Sequence, residues 1–271
     1  MRATSFGVWN QQLIDPTGQR CPKPRTSGCT MVMDKGIGLT AFQDTLQLAG
    51  EYIDFIKLAF GTAAITPISV LLDKCVLAKK HGVHLYPGGT FFEVAYSQKC
   101  VARYFDLLKE LQFEWVEISD GTIELSLAER TKVIRQAQSH GLKVITEIGK
   151  KSAGSIMTIA DFTRLYQHDQ ICGASYIIIE GRETGTNVGI YNQHGEINSH
   201  YLHELLSIVC VEQVIWEAPQ KDQQVYILQE VGYQANLGNI PPTEILSVES
   251  LRRGLRSDTF IHQKETSFSK S

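Results

Sequence analysis

Lys143-Val144-Ile145-Thr146-Glu147-Ile148-Gly149-Lys150-Lys151 is a short apolar run that closes on a carboxylate, a glycine and two ammonium groups. In an extended strand alternate side chains share a face, so Val144, Thr146 and Ile148 point one way while Ile145 and Glu147 point the other. Gly149 permits a sharp turn, and by alternation the two lysines cannot both point inward unless the chain bends there. Taken alone, the stretch reads equally well as a strand with a solvated basic end. Its repetition decides the fold.

The same design, apolar residues and then a glutamate, recurs as W-V-E (115–117), I-T-E (145–147), I-I-E (178–180) and I-W-E (215–217). Working outward from it, strands are expected at 30–36, 52–60, 83–89, 113–121, 143–151, 175–183, 214–219 and 235–240, each followed by a helical pattern. A long helix is expected to run through V-A-R-Y-F-D-L-L-K-E-L after the third strand. Ser126 with Glu129 forms a capping box, Thr158 to Asp161 opens another helix, Pro219 suits the first turn of the next, and Ile245, Val248, Leu251 and Leu255 stripe the last. Tyr86, Glu117, Glu147 and Glu180 close the middle strands at intervals of one β-α unit. Strands this apolar need cover on both faces. Eight such units predict a (β/α)8 TIM-type barrel in a single domain with parallel strands, close to the ~250 residues typical of that fold. The competing open doubly wound sheet lacks support, because no strand-to-helix turn carries G-x-G-x-x-G or a Walker loop.

The barrel is assigned to residues 29–260, preceded by an irregular arm (1–28) rich in Pro, Gly, Ser and Thr and followed by a polar tail (261–271). With 26 Lys and Arg against 29 Asp and Glu, the formal net charge of -3 gives no global reason to expect nucleic acid or an anionic membrane as partner. No apolar run approaches the ~20 residues of a bilayer span, and the N-terminus lacks a secretory layout, so a cytoplasmic location is expected. The 6 cysteines show no C-x-x-C pair and no zinc spacing, and read as mostly buried thiols.

In such a barrel the site lies at the C-terminal strand ends. Those ends carry Asp34 and Lys35, Lys57, Tyr86, Glu117 and Asp120, Glu147 with Lys150 and Lys151, Glu180 with Arg182 and Glu183, Glu217, and Asn236 with Asn239. Glutamates at equivalent places on neighbouring strands repel one another unless cations compensate them. A divalent ion and the interleaved lysines are the natural compensation, and hard oxygen donors without His or Cys favour Mg2+. The bland alternative is a polar plug in which carboxylates and cations satisfy one another. Lys35, Lys57, Lys151 and Arg182 suit a small polyanion. Loops after strands seven and eight, where barrels often hold phosphate, offer Asn239 and then Arg256, Ser257 and Thr259. The Gly88-Gly89-Thr90 segment could present N–H groups to an anion or form a tight turn. No nucleophilic triad emerges, whereas Schiff-base chemistry on a desolvated lysine stays open.

The stretches M-D-K-G, G-E-Y-I-D-F-I-K, Y-P-G-G-T-F-F-E, E-I-S-D-G-T-I, T-E-I-G-K-K, I-I-I-E-G-R-E, W-E-A-P-Q-K-D-Q-Q, N-L-G-N-I and L-R-R-G-L-R-S-D-T-F run in order from Thr30 to Phe260. Together they resemble the phosphosulfolactate synthase family. The resemblance implies a magnesium-dependent (β/α)8 enzyme of coenzyme M and sulfolactate pathways that adds sulfite to phosphoenolpyruvate, with a homo-oligomeric, trimeric assembly. It places the proton donor at Lys151 and implies that burial or adjacent cations lower its pKa. At the second strand end the family's F-G-W-G-T-S becomes L-A-F-G-T-A here, Leu58 to Ala63. Two other readings are another lyase or aldolase on a phosphorylated three-carbon acid, and a non-catalytic barrel like the plant heat-stress proteins that resemble the same family.

Overall fold

Strand alternation sets the inside and outside of the computed structural model, which describes residues 9–260. Ile145 lies in an interior cluster with Met31, Phe55, Tyr86, Trp115 and Tyr176, whereas Val144 and Ile148 pack outward among the helices. The strands are β1 Thr30–Asp34, β2 Phe55–Leu58, β3 His84–Pro87, β4 Trp115–Ile118, β5 Lys143–Ile148, β6 Tyr176–Ile179, β7 Val214–Glu217 and β8 Asn236–Ile240. Each falls inside an expected segment and is shorter than it, at one end or both. All recorded ladders are parallel, in the order β3-β2-β1-β8-β7-β6-β5-β4, and β4 lies beside β3 to complete the ring. The fold is a (β/α)8 barrel of TIM type.

The helices are α1 Gln11–Ile14, α2 Leu39–Ala49, α3 Ile68–Lys80, α4 Gly89–Ser97, α5 Val101–Glu110, α6 Leu127–Ser139, α7 Ile159–Cys172, α8 Ser199–Leu206, α9 Lys221–Glu230 and α10 Ile245–Arg252. The Ser126–Glu129 capping box opens α6, and Thr158 caps α7 by accepting the Asp161 N–H. Three expectations need correction. The helix after β3 is two helices, since the chain breaks at Gln98-Lys99-Cys100, where Lys99 adopts φ 58. Pro219 precedes the N-cap Gln220 of α9 rather than lying in its first turn. Leu255 stands past the end of α10 and is exposed, while Ile245, Val248 and Leu251 face the core as the stripe requires. Within the arm, Arg20 pairs with Glu249 at 3.0 Å and Arg25 with Asp54 at 3.1 Å, which pins residues 20–25 across the N-terminal pole. The tail expected at 261–271 lies outside the described residues. Among the described residues no helix is long and apolar enough to cross a membrane.

The barrel interior is layered because every inward position is two residues from the next. At the floor, the Phe55 ring meets those of Trp115 and Tyr176 edge-on, with centroids 5.1 and 5.4 Å away. Above it the Tyr86 hydroxyl donates to the Met31 sulfur at 2.6 Å. One step higher, Lys57, Glu117, Glu147 and Glu217 reach the axis, so an apolar column carries a charged layer at its C-terminal end.

A second charged contact ties the helical layer to this end. Lys74 of α3 is buried and its Nζ lies 2.6 Å from Oδ2 of Asp34, whose Oδ1 accepts the N–H groups of Gly36 and Ile37. Removing one partner of a buried pair strands the other charge, at a cost of about 3–5 kcal/mol. Lys74→Met is therefore expected to lower unfolding free energy by about that much in a urea titration; a loss below about 1 kcal/mol would show that the two amides alone satisfy Asp34.

Candidate active site

Lys57 brings the mouth together. Buried near the end of β2, its Nζ stands 2.8 Å from Glu217, 3.2 Å from Glu117 and 3.5 Å from Glu147. Burial opposes its charge, but the three carboxylates outweigh that penalty and hold its pKa well above the usual lysine value. Lys151 plays the same part on the other side. Its Nζ lies 3.0 Å from Glu147, 3.6 Å from Glu93 and 3.9 Å from Glu180, and it donates to Thr90 Oγ1 at 3.4 Å. Here too burial is outweighed, by Glu147 first, and the pKa goes up. The expectation of a lowered pKa for Lys151 is thereby corrected: carboxylates, not cations, are its nearest charged neighbours.

The carboxylates are driven apart in character by these contacts. Burial works against the charge of Glu147, yet Lys151 and Lys57 hold its pKa down at about 2. Glu180 is pushed well above the carboxylate range, by burial and then by Glu147 and Glu217. Burial also lifts Glu117, to about 7, against the pull of Lys57. Backbone donors fix the geometry: Glu217 Oε2 accepts the N–H groups of Gly181 (2.9 Å) and Arg182 (3.0 Å), and Glu180 Oε1 accepts the Arg182 N–H at 2.6 Å. Arg182 can serve both because it adopts φ 60, turning its N–H back toward the axis.

Glu147, Glu180 and Glu217 each offer an oxygen within 4.8 Å of the others. Glu147 Oε1 and Glu180 Oε2 are buried against each other and beside the Lys151 ammonium, neither in a well-aligned hydrogen bond. Three convergent hard oxygens, two of them short of donors, fit a small divalent cation. Around them opens a cavity of about 740 Å³, lined by Lys57, Glu117, Glu147, Lys151, Glu180, Arg182, Glu217 and Asn239, with Phe60, Lys150 and Glu183 toward the rim. The Arg182 guanidinium makes no hydrogen bond or ion pair among the described residues and lines this space. Asn239, at φ 56, donates to the Arg182 carbonyl at 3.0 Å and leaves its Oδ1 without a partner.

Other sequence candidates lie elsewhere. Asp120 pairs with Arg130 (3.1 Å) and Lys150 (3.2 Å), outside the three-carboxylate group, because its loop has already turned away from the axis. Glu117 reaches the cavity but is drawn to the Gly89 N–H at 2.7 Å. Lys150 donates to the carbonyls of Asp120 (2.7 Å) and Ile123 (2.8 Å) and braces a loop. Lys35 is exposed at the rim, its Nζ 5.6 Å from the Phe60 ring centroid. Asn236 is the first residue of β8 and therefore at the opposite pole, where it bonds Cys29 N and the carbonyls of Glu212 and Val214. Arg256 bonds Ser247 Oγ and faces Asp258 on the outer layer, and neither it nor Ser257 lines the cavity. Gly88 and Gly89 open α4 at the cavity wall, with the Gly89 N–H committed to Glu117. Pro241 and Pro242 follow β8, so the N–H donors expected there for a phosphate are missing at those two positions.

Two residues of the site were not singled out in the sequence. Glu93 sits one turn into α4, 2% exposed, and accepts hydrogen bonds from Ser119 Oγ, Gly121 N, Thr122 N and Thr122 Oγ1. Its signal was available: it lies four residues after Gly89 and so on the same helix face. Arg130 of α6, buried, donates to Asp169, Asp120 and the Glu147 carbonyl, anchoring β5 from outside.

Comparison with known proteins bears on what this mouth does. A family model described as (2R)-phospho-3-sulfolactate synthase (ComA) matches residues 18–258. A phosphosulfolactate synthase of Methanocaldococcus jannaschii is 43% identical over 235 residues, covering 86% of this chain and 94% of its own. Another, of Methanothermobacter thermautotrophicus, is 40% identical over 245 residues (90% and 95%), and one of Bacillus subtilis 34% over 244 residues (89% and 95%). Among solved structures, a 3-hexulose-6-phosphate synthase superposes with a TM-score of 0.54 at 13% identity, covering 82% of this chain and 98% of its own. A type I 3-dehydroquinate dehydratase gives 0.54 at 12%, covering 85% and 94%. These two likenesses show the barrel and nothing finer.

The ion layer itself is testable. Lys57→Met removes the cation that Glu117, Glu147 and Glu217 share, and should cost about 3–5 kcal/mol of stability. A denaturation midpoint within error of the parent would mean the carboxylates are held by their backbone donors and Lys151 alone.

Proposed function

The chain belongs to the (2R)-phospho-3-sulfolactate synthase family, and from that premise we propose that it is a lyase-class enzyme that adds sulfite to phosphoenolpyruvate, with Mg2+ at the carboxylate group. The observation that carries this reading is the placement of two ammonium groups, the buried Lys57 and the partly exposed Lys151, against Glu147, Glu180 and Glu217 in one cavity at the C-terminal mouth. A site of this kind holds a small polyanion beside a hard cation.

The sulfite sulfur attacks the methylene carbon of phosphoenolpyruvate, a C–S bond forms, and the alkene electron pair moves toward the substrate carboxylate. The carbon bearing the phosphate then takes a proton from Lys151 Nζ, and the neutral amine is reloaded from solvent. Glu147, Glu180 and Glu217 would hold the cation, which when bound polarises the substrate carboxylate and offsets its developing charge. Lys57 faces the same region with a permanent positive charge. The Arg182 guanidinium has the fork geometry to take a carboxylate or phosphate through two parallel hydrogen bonds. Raising the pKa of Lys151 keeps the donor loaded, and a carbon carrying enolate-like charge is basic enough to accept from it. The same raised values count against a Schiff-base mechanism, which needs a neutral amine at rest.

Phosphoenolpyruvate, sulfite and Mg2+ together should yield an organic phosphate ester carrying a new C–S bond, and omission of any one should stop its formation. Lys151→Ala should keep the fold and lower kcat by about 10²–10⁴-fold; parent-level turnover in that variant would remove Lys151 from the role. Mg2+ alone at about 100 times its Kd should stabilise the protein by about 2.7 kcal/mol, seen as a rise in Tm, and Glu180→Gln should shrink that rise. An equal rise in the variant would take Glu180 out of the metal group.

A further inference from the structure

Lys151 is gripped at its stem as well as at its head. Its backbone N–H donates to the Gly121 carbonyl at 3.1 Å, so the end of β5 is laced to the loop after β4. The aliphatic stem lies against Gly121: a Cβ built there would meet Cδ and Cγ of Lys151 at 2.9 Å and Cε at 3.0 Å. Gly121 does not adopt a positive φ, so its lack of a side chain is needed for space rather than for backbone freedom. The position of this saddle is set from a third element, α4. Glu93 takes both backbone N–H groups of Gly121 (3.0 Å) and Thr122 (3.1 Å) and the hydroxyls of Ser119 and Thr122. Its Oε1 is also 3.6 Å from the Lys151 ammonium, while Thr90 of the same helix accepts from that ammonium at 3.4 Å.

We infer that Glu93 is a positioning residue for proton transfer: it fixes residues 119–122 as a saddle under the Lys151 stem and, with Thr90, aims the ammonium into the cavity. The inference rests on the reading of Lys151 as the proton donor. A carboxylate with four donors from one loop is a rigid tie, and it lies on a helix that starts at the cavity wall. A loop held less firmly would let the long lysine side chain sample many rotamers, of which few point at the reacting carbon. Misplacement of a reacting group by about 1 Å can cost about 10²-fold in rate.

Two variants of the full chain displace Lys151 by different means. Glu93→Gln keeps one acceptor oxygen and puts an NH2 donor in place of the other, so either the Ser119 and Gly121 donors or those of Thr122 lose their acceptor and the saddle loosens. Gly121→Ala leaves every charge in place and pushes a methyl into the stem. Both should lower kcat by about 10- to 100-fold, with KM for phosphoenolpyruvate within about 3-fold of the parent. In both, the solvent deuterium isotope effect on kcat should rise, because proton delivery becomes the slower step. A purely structural role would reduce the active fraction and leave the isotope effect unchanged, which overturns the inference. So does parent-level kcat in Glu93→Gln or, should that variant fail to fold, in Gly121→Ala. Lys151→Ala measured alongside separates the two ideas: if it retains turnover, the donor assignment falls, whereas if it is dead and the other two are unaffected, only the positioning role falls.

Discussion

A single ammonium on the barrel axis, that of Lys57, sits among Glu117, Glu147 and Glu217, each within 3.5 Å of it. Parallel register forces this meeting. Lys57 lies opposite Met33 and Tyr86, Glu117 opposite Ile145, and Glu147 opposite Ile178, so inward positions near the C-terminal ends of β2, β4, β5 and β7 converge on the axis. Three carboxylates gathered there would drive the mouth apart in a medium with little water. The charged layer is possible because a lysine comes up from β2 and a second, Lys151, comes in from the end of β5. Mobile lysines elsewhere on the rim, such as Lys35, could not substitute, since they stay in water and are screened.

The floor beneath makes the layer selective rather than merely stable. Phe55, Trp115 and Tyr176 fill the lower barrel with rings in edge contact, and Tyr86 with Met31 seals the level above. Water cannot approach the carboxylates from below. The cavity lies at the C-terminal pole, where an anionic substrate would meet Arg182 at the wall, with the buried Lys57 and the partly exposed Lys151 behind it. A hard cation among Glu147, Glu180 and Glu217 would sit at the boundary between the dry column and that opening, the place where its charge is least screened.

How much of this was legible in the sequence follows from where each residue's orientation is decided. Period-2 alternation gave the eight strands and the inward direction of Glu117, Glu147 and Glu217, since one strand position fixes the rest. It could not give the strand ends to better than a few residues, which misplaced Asp120, whereas Asn236 stood at the start of the expected eighth strand and was grouped with its end. Asn236 is inward but at the wrong pole, and Asp120 lies beyond the turn and faces Arg130. Glu93, Lys74 and Arg130 were passed over for a different reason. They sit on helices, where a buried charge breaks the apolar stripe and the tertiary partner accounts for it: Ser119 to Thr122, Asp34, and Asp169 respectively, with the i to i+4 spacing from Gly89 a local hint for Glu93 alone. Arg256 and Ser257 looked suited to an anion by composition, yet composition says nothing of which layer a segment joins.

The divergence of Lys150 and Lys151 shows how a fine distinction arises from one glycine. Both follow a strand, and alternation counted from Glu147 assigns the inward side to Lys151 and the outward side to Lys150, provided the chain keeps its direction past Gly149. Gly149 adopts φ 139, and a Cβ there would fall 2.5 Å from the Cβ of Glu180. The space a side chain would use is thus already taken by a carboxylate of the neighbouring strand, and the chain must pass close to Glu180 to make the turn. Passing it in that conformation delivers Lys151 to the side of Glu147 and Glu180, while Lys150 falls over the carbonyls of Asp120 and Ile123. Lys150 then braces the very loop that carries Gly121, the surface on which the Lys151 stem rests. The pair is a division of labour imposed by backbone geometry: one lysine holds the loop from outside, and the other lies across it with its charge in the cavity.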